Sequence, residues 1–198
     1  MWLPKLRELK EAVIAVVTGP YTSKFPAEPP PIPDGFRGRP RYSDEECVGC
    51  GACFNVCPAG AIEMVDDVDE KMRRFTLYLD RCIYCEQCHV NCITEKGIEL
   101  TKEYEFTTTN RDELRETQEK KLLICETCDT VISAEDHVRW VAERLGPLAF
   151  ANPTLMLTTL QNLSIADKPT EETVQPLRRG DKVRILCPKC RQVTAFIA

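Results

Sequence analysis

Cys47-Val48-Gly49-Cys50-Gly51-Ala52-Cys53-Phe54-Asn55-Val56-Cys57-Pro58 recurs downstream as Cys82-Ile83-Tyr84-Cys85-Glu86-Gln87-Cys88-His89-Val90-Asn91-Cys92. In each run three cysteines stand at i, i+3 and i+6, and a fourth follows four positions later. Ala61-Ile62 after the first run is echoed, with a one-residue insertion, by Gly97-Ile98 after the second. The segment is therefore an internal duplication. Three thiols so spaced on a curling loop face one point, while the fourth sits on the segment that leaves the loop. Small residues at Gly49, Gly51 and Ala52 let the backbone close in behind the sulfurs. All twelve cysteines of the 198-residue chain fall in Cys-x-x-Cys pairs or their extensions. That is ligand spacing, whereas disulfide frameworks scatter their cysteines more widely.

Eight thiols in this pattern predict two [4Fe–4S] clusters. A pair of zinc knuckles would need two Cys-x-x-Cys pairs per site and leaves the three-in-a-row spacing unexplained. The duplicated run resembles the bacterial two-cluster ferredoxins. In that fold type the fourth cysteine of each run ligates the other cluster. The resemblance thus implies Cys47, Cys50, Cys53 and Cys92 on cluster 1, and Cys82, Cys85, Cys88 and Cys57 on cluster 2. The second run departs from the pattern at Ile93, where proline usually follows the last cysteine, and Thr94-Glu95-Lys96 lengthen the exit turn. Glu86, Gln87 and His89 also stand where the first run has Gly51, Ala52 and Phe54. This bulkier wall would separate the two reduction potentials. His89 reads as a surface or supporting residue rather than a ligand.

The other four cysteines form two knuckles, Cys125-Glu126-Thr127-Cys128 and Cys187-Pro188-Lys189-Cys190. Paired knuckles predict one tetrahedral four-thiolate site, holding structural zinc or, alternatively, mononuclear iron as in rubredoxin. Asp129 and Arg191 replace the glycine common after each knuckle. His137 reads as a helix-surface residue, since four sulfurs complete the site.

Around these motifs the chain reads as three parts. Residues 1–41 carry an amphipathic helix, with Leu3, Leu6, Leu9, Val13, Val16 and Val17 at helical spacing and a stop near Gly19-Pro20. A proline-rich strap follows, from Pro26 to Pro40, with Phe25, Ile32 and Phe36 as apolar anchors. Residues 42–106 hold the duplicated cysteine runs, and 107–198 the knuckles. In the last part Asn110 and Glu113 predict a capped helix to about Lys120, followed by a short strand at Leu122-Leu123-Ile124. Ser133 and Asp136 predict a second helix, with Val138, Val141 and Leu145 on one face and a stop at Gly146-Pro147. Val183–Leu186 and Gln192–Ile197 read as strands flanking the second knuckle. The fold class is α+β: a two-cluster ferredoxin-like core with an N-terminal amphipathic helix and a C-terminal zinc-ribbon or rubredoxin-like module.

The net charge of −5 disfavours nucleic acid, which calls for a basic stripe. Lys5, Arg7, Glu8, Lys10 and Glu11 interrupt any secretory apolar run, and no stretch approaches a transmembrane length. The expected compartment is cytosolic and reducing.

With the motifs placed, the first 105 or so residues resemble the ferredoxin-like subunit of energy-converting hydrogenases and of respiratory complex I. The likeness runs from the amphipathic start through Lys24-Phe25-Pro26 and Phe36-Arg37-Gly38-Arg39-Pro40 into the two cysteine runs. The C-terminal knuckles resemble those of the formate hydrogenlyase and hydrogenase-4 iron–sulfur subunit more than the complex I version. The resemblance implies a non-catalytic electron-relay subunit, peripheral on the cytoplasmic side of the cell membrane. Its partners would be an electron-donor module, a [NiFe] hydrogenase small subunit and other subunits of a membrane-bound complex, with the helix and strap as docking elements. The corresponding subunit of a complex I-type quinone oxidoreductase and a freely diffusing ferredoxin are the alternatives.

Overall fold

A computed structural model of the chain describes residues 5–19, 22, 24–166 and 183–196. The chain divides into two units, residues 1–36 and 37–198. In the first unit, helix α1 runs from Leu6 to Thr18. The Lys5 N–H donates to Glu8 Oε2 at 3.0 Å, which satisfies one of the amides orphaned at a helix start. The helix closes at Gly19, at φ +84°, whose N–H donates to the Ala15 carbonyl at 3.0 Å. No described residue of α1 is buried, and Leu6, Val16 and Val17 are about four-fifths exposed or more. Leu3 and Pro20 lie outside the described residues.

The second unit is built from two antiparallel sheets. Strands β1 (Pro40–Tyr42) and β4 (Ile98–Leu100) pair with Arg41 opposite Glu99. This small sheet clips the start of the unit to the end of the second cysteine run. Its lead-in explains the Arg37-Gly38-Arg39-Pro40 sequence. A Cβ on Gly38 would collide with the Thr101 and Glu103 carbonyls, and the Gly38 N–H donates to Thr101 O at 3.0 Å. Arg37 pairs with Glu86 at 3.1 Å, Arg39 with Glu116 at 3.4 Å, and Pro40 is fully buried.

The larger sheet has the order β2 (Ile62–Asp67), β3 (Met72–Tyr78), β5 (Arg115–Ile124), β6 (Val131–Ala134). Alternate residues of β3, Phe75 and Leu77, join Ala61, Ile62 and Leu79 in the core, and Cys53, Cys57, Cys82 and Cys88 pack against it. The core is thus the floor beneath the cysteine runs. Short helices α2 (Ala52–Val56) and α3 (Gln87–Val90) carry the chain from each loop to its fourth cysteine. Beyond β6 come α4 (Glu135–Leu145), a 3-10 turn, α5 (Pro153–Asn162) and α6 (Pro188–Phe196).

Four local expectations are corrected. The helix expected through about Lys120 is a single 3-10 turn, Arg111–Leu114, after which the chain runs as ten residues of β5. Asn110 still caps, its side chain accepting from the Asp112 N–H. Cross-strand pairing outweighs the local helical signal: Glu119 stands opposite Arg74 and meets it at 2.6 Å, while Gln118 is buried opposite Phe75. The segment 183–186 is irregular, not strand, though the Ile185 carbonyl accepts from the Glu126 N–H at 3.0 Å. The strand expected from Gln192 is the body of α6; Pro188 begins that helix, where a missing N–H costs nothing. Ile197 lies outside the described residues. Helix α4 does form over the expected span and buries Val138 and Ala142, but Ser133 Oγ bonds to His137 Nδ1 at 2.8 Å rather than capping it. Because β5 pairs with β3 along seven residues, the parts on either side of residue 106 share one sheet.

Candidate cluster and metal sites

The first loop bends through glycines at positive φ, Gly49 at +69° and Gly51 at +81°. The second loop keeps the same backbone with non-glycine residues, Tyr84 at +53° and Glu86 at +69°. Holding Tyr84 and Glu86 there costs on the order of 1–3 kcal/mol each. The duplication is therefore conserved in backbone shape where it has diverged in side chains.

Two hollows lie beneath these loops. One is walled by Cys47, Cys50, Cys53 and Cys92, with Tyr42 and Ile98 behind. The other is walled by Cys57, Cys82, Cys85 and Cys88, with Pro40 and Ile62 behind. Each hollow thus takes three thiols from one run and the fourth from the other. The echoed isoleucines cross over in the same way. All twelve cysteines are free thiols.

The walls fit a [4Fe–4S] group by donor set: four thiols line each hollow. Backbone amides support the sulfurs, with Ala52 N–H on Cys50 Sγ at 3.5 Å, Ala61 N–H on Cys57 Sγ at 3.3 Å and Tyr84 N–H on Cys82 Sγ at 3.4 Å. Glycine is required again at the far wall, since a Cβ on Gly97 would come within 3.0 Å of Cys92 Sγ. Burial pushes the Cys53 thiol up to about 12 and Cys88 up to about 11, and raises Cys47 and Cys82 as well. In such walls a thiolate needs positive charge in the hollow, which is what bound iron supplies. Tyr42, half-buried with its hydroxyl 3.8 Å from Cys53 Sγ, is likewise held protonated by desolvation. His89 points its Nδ1 at the Ile98 carbonyl, 2.9 Å away, and so braces β4.

Sequence reasoning missed two residues behind the first loop. Arg73 of β3 is buried, donates to the Gly49 carbonyl at 2.9 Å and grips Asp66 with two bonds of 2.7 and 2.8 Å. Lys120 of β5 donates to the Asp44 carbonyl, pairs with Asp136 at 3.3 Å, and lowers the Cys47 pKa against its burial. An arginine in the alternating register of Phe75 and Leu77 was the available signal, and its contact with Gly49 was not. The position of Lys120 required knowing that β5 exists.

The four remaining thiols, Cys125, Cys128, Cys187 and Cys190, lie within 4.8 Å of one another. Cys128 and Cys187 are 3.6 Å apart. A tetrahedral metal with sulfur at about 2.3 Å needs edges of about 3.8 Å, so the group fits one ion with little movement. Cys125 and Cys187 are buried beside Leu186, and Cys128 is exposed. Hydrogen bonding with Thr130 brings Cys128 down to about 6. The first knuckle follows a strand, as in zinc ribbons. The second opens a helix, with the Cys190 N–H on Cys187 Sγ at 3.4 Å.

Residues 46–96 match the family model of the 4Fe-4S dicluster domain. Formate hydrogenlyase subunit 6 of Escherichia coli is 29% identical over 62% of this chain and 68% of its own length. NADH-quinone oxidoreductase subunit I 2 of Geobacter metallireducens is 28% identical over 62% of this chain and 98% of its own. An uncharacterised ferredoxin of Methanocaldococcus jannaschii is 33% identical over 31% of this chain and 82% of its own. A solved chain of the archaeal membrane-bound sulfane sulfur reductase aligns over 58% of this chain and 61% of its own, at 25% identity and a TM-score of 0.41, too low to bear on the fold.

Proposed function

The chain belongs to the 4Fe–4S dicluster ferredoxins, and on that premise we propose that it relays single electrons within a membrane-bound hydrogenase or formate hydrogenlyase-type complex. The observation that carries this reading is the pair of hollows, each walled by four thiols drawn from both runs. Cys47, Cys50, Cys53 and Cys92 would hold cluster 1, and Cys82, Cys85, Cys88 and Cys57 cluster 2. A [4Fe–4S] group in each supplies one-electron redox chemistry. The protein's part is to fix the two sites side by side through shared ligand segments, to exclude water with Tyr42, Phe75 and Leu77, and to aim amides at the sulfurs. No residue is assigned a catalytic step.

Residues 1–41 are the docking part, 42–106 the relay, and 107–198 the four-cysteine module. A single ion on Cys125, Cys128, Cys187 and Cys190 would pin α6 to the end of β5. Structural zinc fits a scaffold role, and mononuclear iron is the alternative. Among the described residues no helix is long and apolar enough to cross a membrane. We place attachment through partners, on the cytoplasmic side, and take these to include a hydrogenase small subunit and an electron-donor module.

Native purification followed by mass spectrometry tests the reading. A nickel-containing subunit should travel with the chain, and recovery as a lone monomer would count against it. A second reading, the relay subunit of a complex I-type quinone oxidoreductase, is favoured by the relative matched along 98% of its length. In that case flavin- and quinone-binding subunits would copurify and nickel would be absent.

A further inference from the structure

We propose that Arg73 is a positioning residue that raises the reduction potential of cluster 1 relative to cluster 2. The inference rests on the two-cluster reading above. Arg73 stands outside both cysteine runs, on β3, yet its Nη1 donates to the carbonyl of Gly49 inside the first loop at 2.9 Å. Its other face is forked onto Asp66, so the guanidinium has one orientation. The arginine side chain is one-tenth exposed and that of Asp66 about one-quarter. The positive end of this pair therefore faces the loop, and the negative end faces water.

The bond acts on one peptide unit. The Gly49 carbonyl and the Cys50 N–H belong to the same planar trans amide and point in opposite directions. With the carbonyl held on Arg73, the N–H is turned away from it, on a loop that walls the hollow of Cys47, Cys50, Cys53 and Cys92. A charged donor on a carbonyl polarises the whole amide and strengthens its N–H end. Both that dipole and the nearby cation favour the more negative, reduced state of anything bound in the hollow. Ala134 and Lys120 line the other side of Gly49, where an added Cβ would meet them. The second loop is secured by different means. Tyr84, at the position of Gly49, packs its ring against Phe106 with centroids 5.9 Å apart. The two cradles share a backbone but differ in what stands behind it.

Arg73→Met in the full-length chain, followed by EPR-monitored redox titration, tests this. The signal perturbed by Cys47→Ser identifies cluster 1. Arg73→Met should keep the parent's iron and acid-labile sulfide content, move that signal's midpoint to lower potential and leave the other unmoved. Arg73→Lys should restore part of the shift. Asp66→Leu with Arg73→Leu removes both charges together, and should give the same selective downward shift without leaving Asp66 unpaired. No shift, or an equal shift of both signals, overturns the proposal. Loss of the cluster 1 signal alone in both the Met and the double variant would reduce Arg73 to an assembly role and overturn it too. Parent protein with no acid-labile sulfide would instead remove the two-cluster reading itself.

Discussion

At the residue scale, the first and second loops show two ways of holding one backbone. Gly49 is confined by space as well as by φ: a Cβ there would lie 2.9 Å from Ala134 Cβ and 3.1 Å from Lys120 Cβ. Gly49→Ala should therefore cost about 1–3 kcal/mol, read as a lower urea midpoint, with iron lost first from the Cys47 hollow. An unchanged midpoint would mean that β6 yields easily. The equivalent Tyr84 already bears the strain of positive φ, in exchange for its packing on Phe106. Crossed ligation makes its own prediction at this scale. Cys92→Ser should alter the EPR signal of the cluster held by Cys47, Cys50 and Cys53, although Cys92 belongs to the other run. If the altered signal is instead the one changed by Cys85→Ser, the fourth ligands stay with their own runs. The spacing of these cysteines was plain in the sequence. Arg73 was not, because its importance lies in a contact between residues 24 positions apart.

At the element scale, the instructive segment is Arg115–Ile124. Its Glu, Gln and Lys residues carry helix propensity, and Asn110 supplies a genuine cap, so local rules favour a helix. What decides the outcome is non-local: β3 on one side, β6 on the other, and opposite charges at Arg74–Glu119. Helix α6 was missed for a different reason. Val193 and Phe196 suggested a strand, yet both are exposed, and the buried residue is Thr194. Proline directly after Cys187 was the readable sign of a helix start. With so little apolar burial, α6 depends on the thiol cluster at its N-terminal end. Removing the ion by chelation, or Cys187→Ser, should abolish hydrogen-exchange protection across Pro188–Phe196. The amides of β3, paired on both edges, should keep theirs. Protection that persists in α6 after metal loss would show that the helix is held by packing alone. Thr154, which accepts from Arg191 and donates to the Leu186 carbonyl at 3.3 Å, would then be the contact responsible.

At the scale of the whole molecule, the two units differ in how they use apolar surface. The second turns its apolar residues inward, onto the floor beneath both hollows. In the first, α1 leaves Leu6, Leu9, Val13, Val16 and Val17 at least half exposed. A diffusing carrier gains nothing from such a helix, whereas a subunit fixed in a complex can bury it. Replacing Leu9, Val13 and Val16 together by glutamate should leave iron and sulfide content and both EPR signals intact, because no cluster-walling residue is touched. The same variant should be lost from the membrane fraction. If each side chain is worth at least about 1.5 kcal/mol when buried, the triple change weakens attachment on the order of a thousandfold. Fractionation of membranes and immunodetection of the chain would measure this. If the variant remains bound as firmly as the parent, the docking role passes to the proline-rich strap or to the surface of the second unit. Combining α1 and strap substitutions would then decide between those two.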